Sequence, residues 1–414
     1  MSTQNWLGNA APVAQLTVLT PASPSANDTF TVTCNSKAVS YQTAAGTVAD
    51  VCNGVANAIA NSSFAEFKEF QATNTGSTIQ LAGTTAGLPF TVSTSVTTSG
   101  SATFTQSTPT AATGPNDWSN AANWSAGSAP ATGDNVYVAT GTVPILYGLA
   151  QSGVTLSSLN VSQAYTGTIG LPTYNARGYR EYRTMELQIG ATTVNIGTGS
   201  SGSGSGRMKL NTGTATTTLN VLNTGQPLDV GNPAFIWHGS NSSNVANLVK
   251  TTMCIAFFPG DTAQLATLRI GFVSNPNSDV TLTTGVGLTL GTLDMNGGTV
   301  TLNNGATTAT CSAGKLTVIG TGGVTTLTVD GGTVVYNSTG TLATAIVSED
   351  GELDFSQDPQ PKTVTNPIQV YGNAATLNDP NQVVGSLVVD MEQSNNIQNV
   401  NLGTNIKLTR GTPP

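Results

Sequence analysis

The chain has 414 residues, 38% of them hydrophobic and only 8% charged, with a mean hydropathy of +0.00, against roughly 25% charged in ordinary globular proteins. Thirteen Lys and Arg against twenty-one Asp and Glu leave a net charge of −8, so a broad basic face for nucleic-acid phosphates is excluded. The apolar content is too high for a disordered chain, and the Thr, Ser, Asn and 46 Gly that fill the polar positions favour strands and turns.

Residues 1–12 lack the basic and apolar regions of a signal peptide, and no stretch approaches the ~18 apolar residues of a membrane span. The expectation is synthesis in the cytoplasm with no membrane contact. Cys34, Cys52, Cys254 and Cys311 show no CxxC spacing and read as small buried hydrophobes.

Residues 1–26 place Trp6, Leu7, Leu16, Val18 and Leu19 among Pro12, Pro21 and Pro24. This predicts an extended arm that does not fold alone and lies along a partner. Residues 27–100 read as a small ββαββ domain. Phe30, Val32 and Cys34 alternate with Thr, an Asn35-Ser36 turn leads to Val39 and Tyr41, and Thr47 caps a helix carrying Val48, Val51, Cys52, Val55 and Ile59, ending near Asn61. Two further strands are expected over 77–81 and 89–96.

Residues 101–135 read as a linker or edge strand followed by a Trp-rich cap. Trp118 and Trp124 in a polar stretch suit an aromatic plug on the end of a solenoid, the alternative being a platform for stacking sugars. From 136 to 414 short strands alternate with Gly, Asn and Asp turns. The segments at 292 (TLDMNGGTVTL), 308 (TATCSAGKLTV), 326 (TLTVDGGTVVY) and 345 (AIVSEDGELDF) start 16, 18 and 19 residues apart. Looser copies near 218, 246 and 267 imply loops inserted into earlier coils. The fold class is mainly β, with a single-chain parallel β-helix following the small domain; an antiparallel sandwich or barrel is the alternative.

The candidate chemistry is sparse. His238, the only histidine, has no triad or zinc motif around it and reads as structural. In the acidic group Glu349, Asp350, Glu352 and Asp354, strand geometry puts Glu352 and Asp354 on one side. A solvated face, a cation site and a glycosidase carboxylate pair remain open there. Arg177, Tyr179, Arg180, Tyr182 and Arg183 concentrate three of the thirteen basic residues within seven positions, as either a subunit interface or a local ion-pair network. The Gly/Ser run 197–206 lacks the Gly-Lys-Ser/Thr ending of a phosphate loop and implies no nucleotide. No cofactor is expected.

The segments TFTVTCNSKAVSYQTAAGTVADVCNGVANAIANSSFAEF and GSTIQLAGTTAGLPFTVS, with NDWSNAANWSAGSAPATGDNVYV and the Thr/Gly-rich coils after them, resemble β-helical structural proteins of tailed bacteriophages. The resemblance implies assembly in the host cytoplasm, a place in the virion, and symmetry that is most often threefold, hence a homotrimer. The expected function is that of a non-enzymatic capsid decoration (cement) protein, its partner the major capsid protein. Trp6, Leu7, Leu16, Val18 and Leu19 would make the capsid contacts. The alternative is a tail fibre whose Trp118, Trp124 or Trp237 stack on host glycans, and a third is a depolymerase using Glu352 and Asp354.

Overall fold

The computed structural model describes residues 2–171, 174–179, 182–199, 204, 206–225, 233–271, 279–385, 387–393 and 397–403, and the architecture is mainly β. The small unit is larger than ββαββ. Its hairpin (Thr29–Cys34 with Lys37–Gln42) and Val92–Thr97 make a three-stranded sheet. A four-stranded sheet has the order Phe70–Asn74, Ile79–Gly83, Leu16–Ala22, Thr103–Thr110. The arm expected over 1–26 is therefore not an arm. Leu16–Ala22 is a central strand paired antiparallel on both sides, because Thr17, Leu19 and Pro21 alternate inward although the prolines mask the pattern. The stretch expected as linker or edge supplies the edge strand Thr103–Thr110.

The helix Val48–Ala60 forms as its pattern dictates. Thr47 accepts the Asp50 backbone N–H (3.2 Å), and Val51, Cys52, Val55, Ala56 and Ile59 are buried. Asp50 ties the helix start to the sheet, accepting from Thr43 Oγ1 (2.6 Å) and Tyr41 Oη (2.9 Å). These bonds, with those from the Ala45 and Ala44 N–H groups, hold its carboxyl below the usual carboxylate range. Phe30 and Phe104 meet edge to face at 5.4 Å in the core between.

The rest of the chain forms a closed barrel of parallel strands. Most strands pair with the strand two further along the chain rather than the next, so two ladders run side by side. One ladder passes through Asn135–Val138, Ala150–Ser162, Leu187–Thr198, Thr218–Val221, Val245–Leu248 and Ala263–Ile270. The other passes through Met208–Asn211, Phe235–His238, Lys250–Ile255 and Asp279–Thr284. The long strands Leu288–Leu302 and Ala306–Val318 bend and serve both ladders.

Register explains the core. Val194, Leu219, Ala246, Leu268, Leu293, Ala309 and Leu327 are successive partners in one column, all facing inward and all fully buried. The repeat is seen directly in Thr292↔Thr308↔Thr326, steps of 16 and 18 residues. The last copy departs from the expected 19: Thr326 pairs with Thr344, while Thr333 pairs with Glu352. The turn before Glu352 holds one more residue than the turn before Thr333, and Glu349 takes it up at φ 53°. Where chain bends stack, backbones lie too close for side chains. Gly314, at φ +87°, has a carbonyl where its Cβ would be.

Candidate functional site

The end of the barrel nearest the N-terminus is closed from three directions. Thr3–Asn5 pairs parallel with Asn135–Val138, so residues 3–5 belong to the barrel. Asp134 clamps this strand, accepting from the Ser2 N–H (2.9 Å) and Ser2 Oγ (2.8 Å). Its carboxyl is held low by hydrogen bonds from the Ala131 and Ser2 N–H groups. Over the clamp, Trp6, Trp124 and Trp118 stack edge to face at 5.1 and 4.7 Å. Trp124 donates its indole N–H to the Trp118 carbonyl (2.7 Å), and Asn123, fully buried, holds the Ala10 N–H and the Gly114 and Asp117 carbonyls. The block is a plug, and none of its indoles is open to a sugar.

The five capsid-contact candidates consequently separate. Trp6 and Leu19 are buried within the chain, Leu16 and Val18 are half-buried in the sheet, and Leu7 alone is exposed, at 46%. Trp237 is fully buried as well, because Phe235–His238 turns it into the barrel.

Among its described residues the Arg/Tyr patch makes contacts between the two parts of one chain. Glu69, 3% exposed, receives the Arg177 Nε (3.2 Å) and the Tyr179 hydroxyl (2.8 Å). Arg177 also reaches Thr84 (3.3 Å), and Tyr182 meets Ser36 across a hydroxyl pair (3.0 Å). Arg183 lies over the Tyr147 ring at 5.4 Å. Arg180 lies outside the described residues. Sequence alone gave no sign that the partner was Glu69, more than a hundred positions away.

His238 is paired, not merely packed. Its Nε2 lies 2.8 Å from Glu186 Oε2, and Asn211 Nδ2 donates to Glu186 Oε1 (3.2 Å). Gln188, Asn211 and His238 are successive register partners in one outward column. Glu186 ties Asn211 and His238 together. Burial pushes the Glu186 carboxyl up, but these bonds and the imidazole charge outweigh it and hold the group low. Burial likewise pulls the imidazole down, and Glu186 more than restores it, leaving His238 raised.

Glu352 and Asp354 do share a side, as strand geometry requires, but both carboxylates are engaged. Glu352 accepts from Asn378 (2.8 Å) and Thr333 (3.2 Å), and Asp354 from the Ser356 N–H (2.8 Å) and Gln357 (3.1 Å). All four cysteines are buried and none is in a disulfide; burial pushes Cys254 up to about 11 and Cys311 to about 12.

A regular surface forms the outside of the first ladder. One column carries Ser158, Thr193, Thr218, Val245, Thr267, Thr292, Thr308 and Thr326. Beside it, Asn247 Nδ2 donates to Asn220, Asn220 to Asn195 and Asn195 to Asn160, at 2.8–2.9 Å, and Arg269 approaches Asn247 Oδ1 at 3.4 Å. This amide ladder was missed at the level of sequence, although its signal is there: four strands read apolar-Asn-apolar. Compared with known proteins, the chain matches no family model, no curated protein and no solved structure.

Proposed function

We propose that this chain is a structural protein of a tailed-phage particle, a capsid decoration protein whose closed parallel barrel winds as a β-helix away from the shell. The observation that carries the reading is the outer face of the first ladder. Hydroxyls and amides repeat there at the ~4.8 Å strand spacing, and the amides are largely satisfied by one another. Such a face adds almost no like-charge repulsion when many identical copies crowd on one surface. A stack of hydrogen-bonded rungs also projects with little conformational freedom. The winding is supported by pairing between every second strand and by the 16- and 18-residue steps of the repeat.

In this reading the shell is gripped by the plugged end, where Leu7 and Val13 are exposed at 46% and 39%, and not by a free arm. The protein has no catalytic step: Glu352 bonds the neighbouring strands through Thr333 and Asn378, and Asp354 serves the turn at Ser356 and Gln357. Trp118, Trp124 and Trp237 are buried, which removes the stacking residues that the tail-fibre alternative invoked.

Cryo-electron microscopy of purified particles tests the proposal. Density over the head in many symmetry-related copies is expected, with occupancy lowered by Leu7→Asp while the unfolding midpoint of the isolated protein stays unchanged. Density confined to the tail overturns the reading. So does cleavage of a polysaccharide that is lost in the Glu352→Gln, Asp354→Asn double variant.

A further inference from the structure

One cavity on the barrel wall has no part in the packing or in the proposed capsid contact. It is a cleft of about 280 Å³ between two walls. The first wall is a bulge in Ala150–Ser162: Ala150 pairs with Gln188 and Thr155 with Gly190, so residues 151–154 lie across from the single residue Ile189 of the neighbouring strand. The second wall is the turn after Met208–Asn211, residues 212–215. Bulges re-aim side chains and gather beside binding sites, and this one lifts Ser152 to the cleft rim without interrupting the inward column.

The floor is fixed. Gln188 and Asn211 line it, and Asn211 donates to Glu186 (3.2 Å), whose other carboxylate oxygen lies 2.8 Å from His238 Nε2. Asn211 Oδ1 is held by the Gly213 N–H (2.8 Å). At buried Gly190 the two walls approach closely, since a Cβ there would stand 2.8 Å from Thr155 Oγ1 and 3.1 Å from Ala215. The lining is otherwise hydroxyl and glycine, with half-buried Ala215 as its apolar contact, Ile189 turned into the barrel core, and no charged side chain.

We propose that this cleft binds a neutral carbohydrate unit. An ion finds no counter-charge in the lining, and Glu186 behind it is engaged by Asn211 and His238. An apolar ligand would strip water from hydroxyls and amides without replacing its hydrogen bonds. A neutral sugar donates and accepts together and presents a C–H face to Ala215. The inference uses neither the capsid contact nor the buried indoles, so it stands or falls apart from the proposed function.

The test presents the full chain to arrayed neutral oligosaccharides built on glucose, galactose, mannose and N-acetylglucosamine, beside their sialylated and sulfated counterparts, with titration calorimetry on any hit. Binding to a neutral oligosaccharide is expected, weakened at least ten-fold by Thr214→Trp, which fills the exposed side of the cleft. An exposed control, Thr307→Trp, is expected to bind as the wild type does, with equal unfolding midpoints for all three proteins. Absence of neutral binding, binding only to acidic sugars, or binding that Thr214→Trp leaves intact overturns the proposal.

Discussion

At Glu186 and His238 two titrations act on one contact, and their signs set a pH window. Glu186 is held below its ordinary 4.5, so its contribution is complete above that value and is lost as pH falls through the folded value. His238 is held above its ordinary 6.5, so its contribution is complete below 6.5 and is lost as pH rises through the folded value. The stability difference between wild type and Glu186→Gln is therefore expected to be greatest between 4.5 and 6.5 and to shrink on either side. Denaturant unfolding of both proteins across pH reads this directly. A difference that keeps growing above pH 8 contradicts it. The sequence showed the lone histidine but not its carboxylate, because the two are fifty-two positions apart and only the stacking of rungs brings them together.

Among elements, the amide ladder and the tryptophan plug make opposite demands. Each ladder asparagine is half-exposed and holds its neighbours through a neutral hydrogen bond. Asn220→Leu leaves Asn195 Oδ1 and Asn247 Nδ2 without that partner, for an expected cost of about 1 kcal/mol in chemical denaturation. Trp124 is buried between two other indoles and closes the barrel end. Trp124→Ala is expected to cost about 3–5 kcal/mol and, by opening that end, to raise self-association measured by light scattering. Wild-type light scattering from the variant would mean that the barrel end does not depend on the plug. The helix is legible in the sequence because cap and apolar spacing are local: Thr47 to Asn61 is where it begins and ends. The strand Leu16–Ala22 was not, because its inward alternation runs through Pro21 and its two partners lie about 60 and 90 positions downstream.

For the molecule as a whole, the N-terminal segment ties both parts together. Residues 3–5 complete the barrel end, and Leu16–Ala22 sits between two strands of the four-stranded sheet. Deleting residues 1–26 is therefore expected to abolish cooperative unfolding of the small unit and to expose the plug, as seen by circular dichroism and by proteolysis near residue 114. A deleted protein that still melts as the wild type does would restore the free-arm picture. The Glu69, Arg177 and Tyr179 contact further fastens the small unit to the barrel.

By itself the sequence determined what depends on neighbours along the chain: β content, the hairpin at Asn35-Ser36, the helix with its caps, the repeat near 16–19 residues and the burial of Trp118 and Trp124. Periodicity and turn chemistry act over a few residues, so they can be read in one dimension. Only the tertiary structure decided that the apparent arm is two strands, that the Arg/Tyr patch serves an intrachain contact, that Glu186 meets His238, and that a bulge and a turn enclose a polar cleft. Each of these joins residues tens to more than a hundred positions apart, and their meeting is set by the register in which parallel rungs stack, a quantity no local pattern encodes.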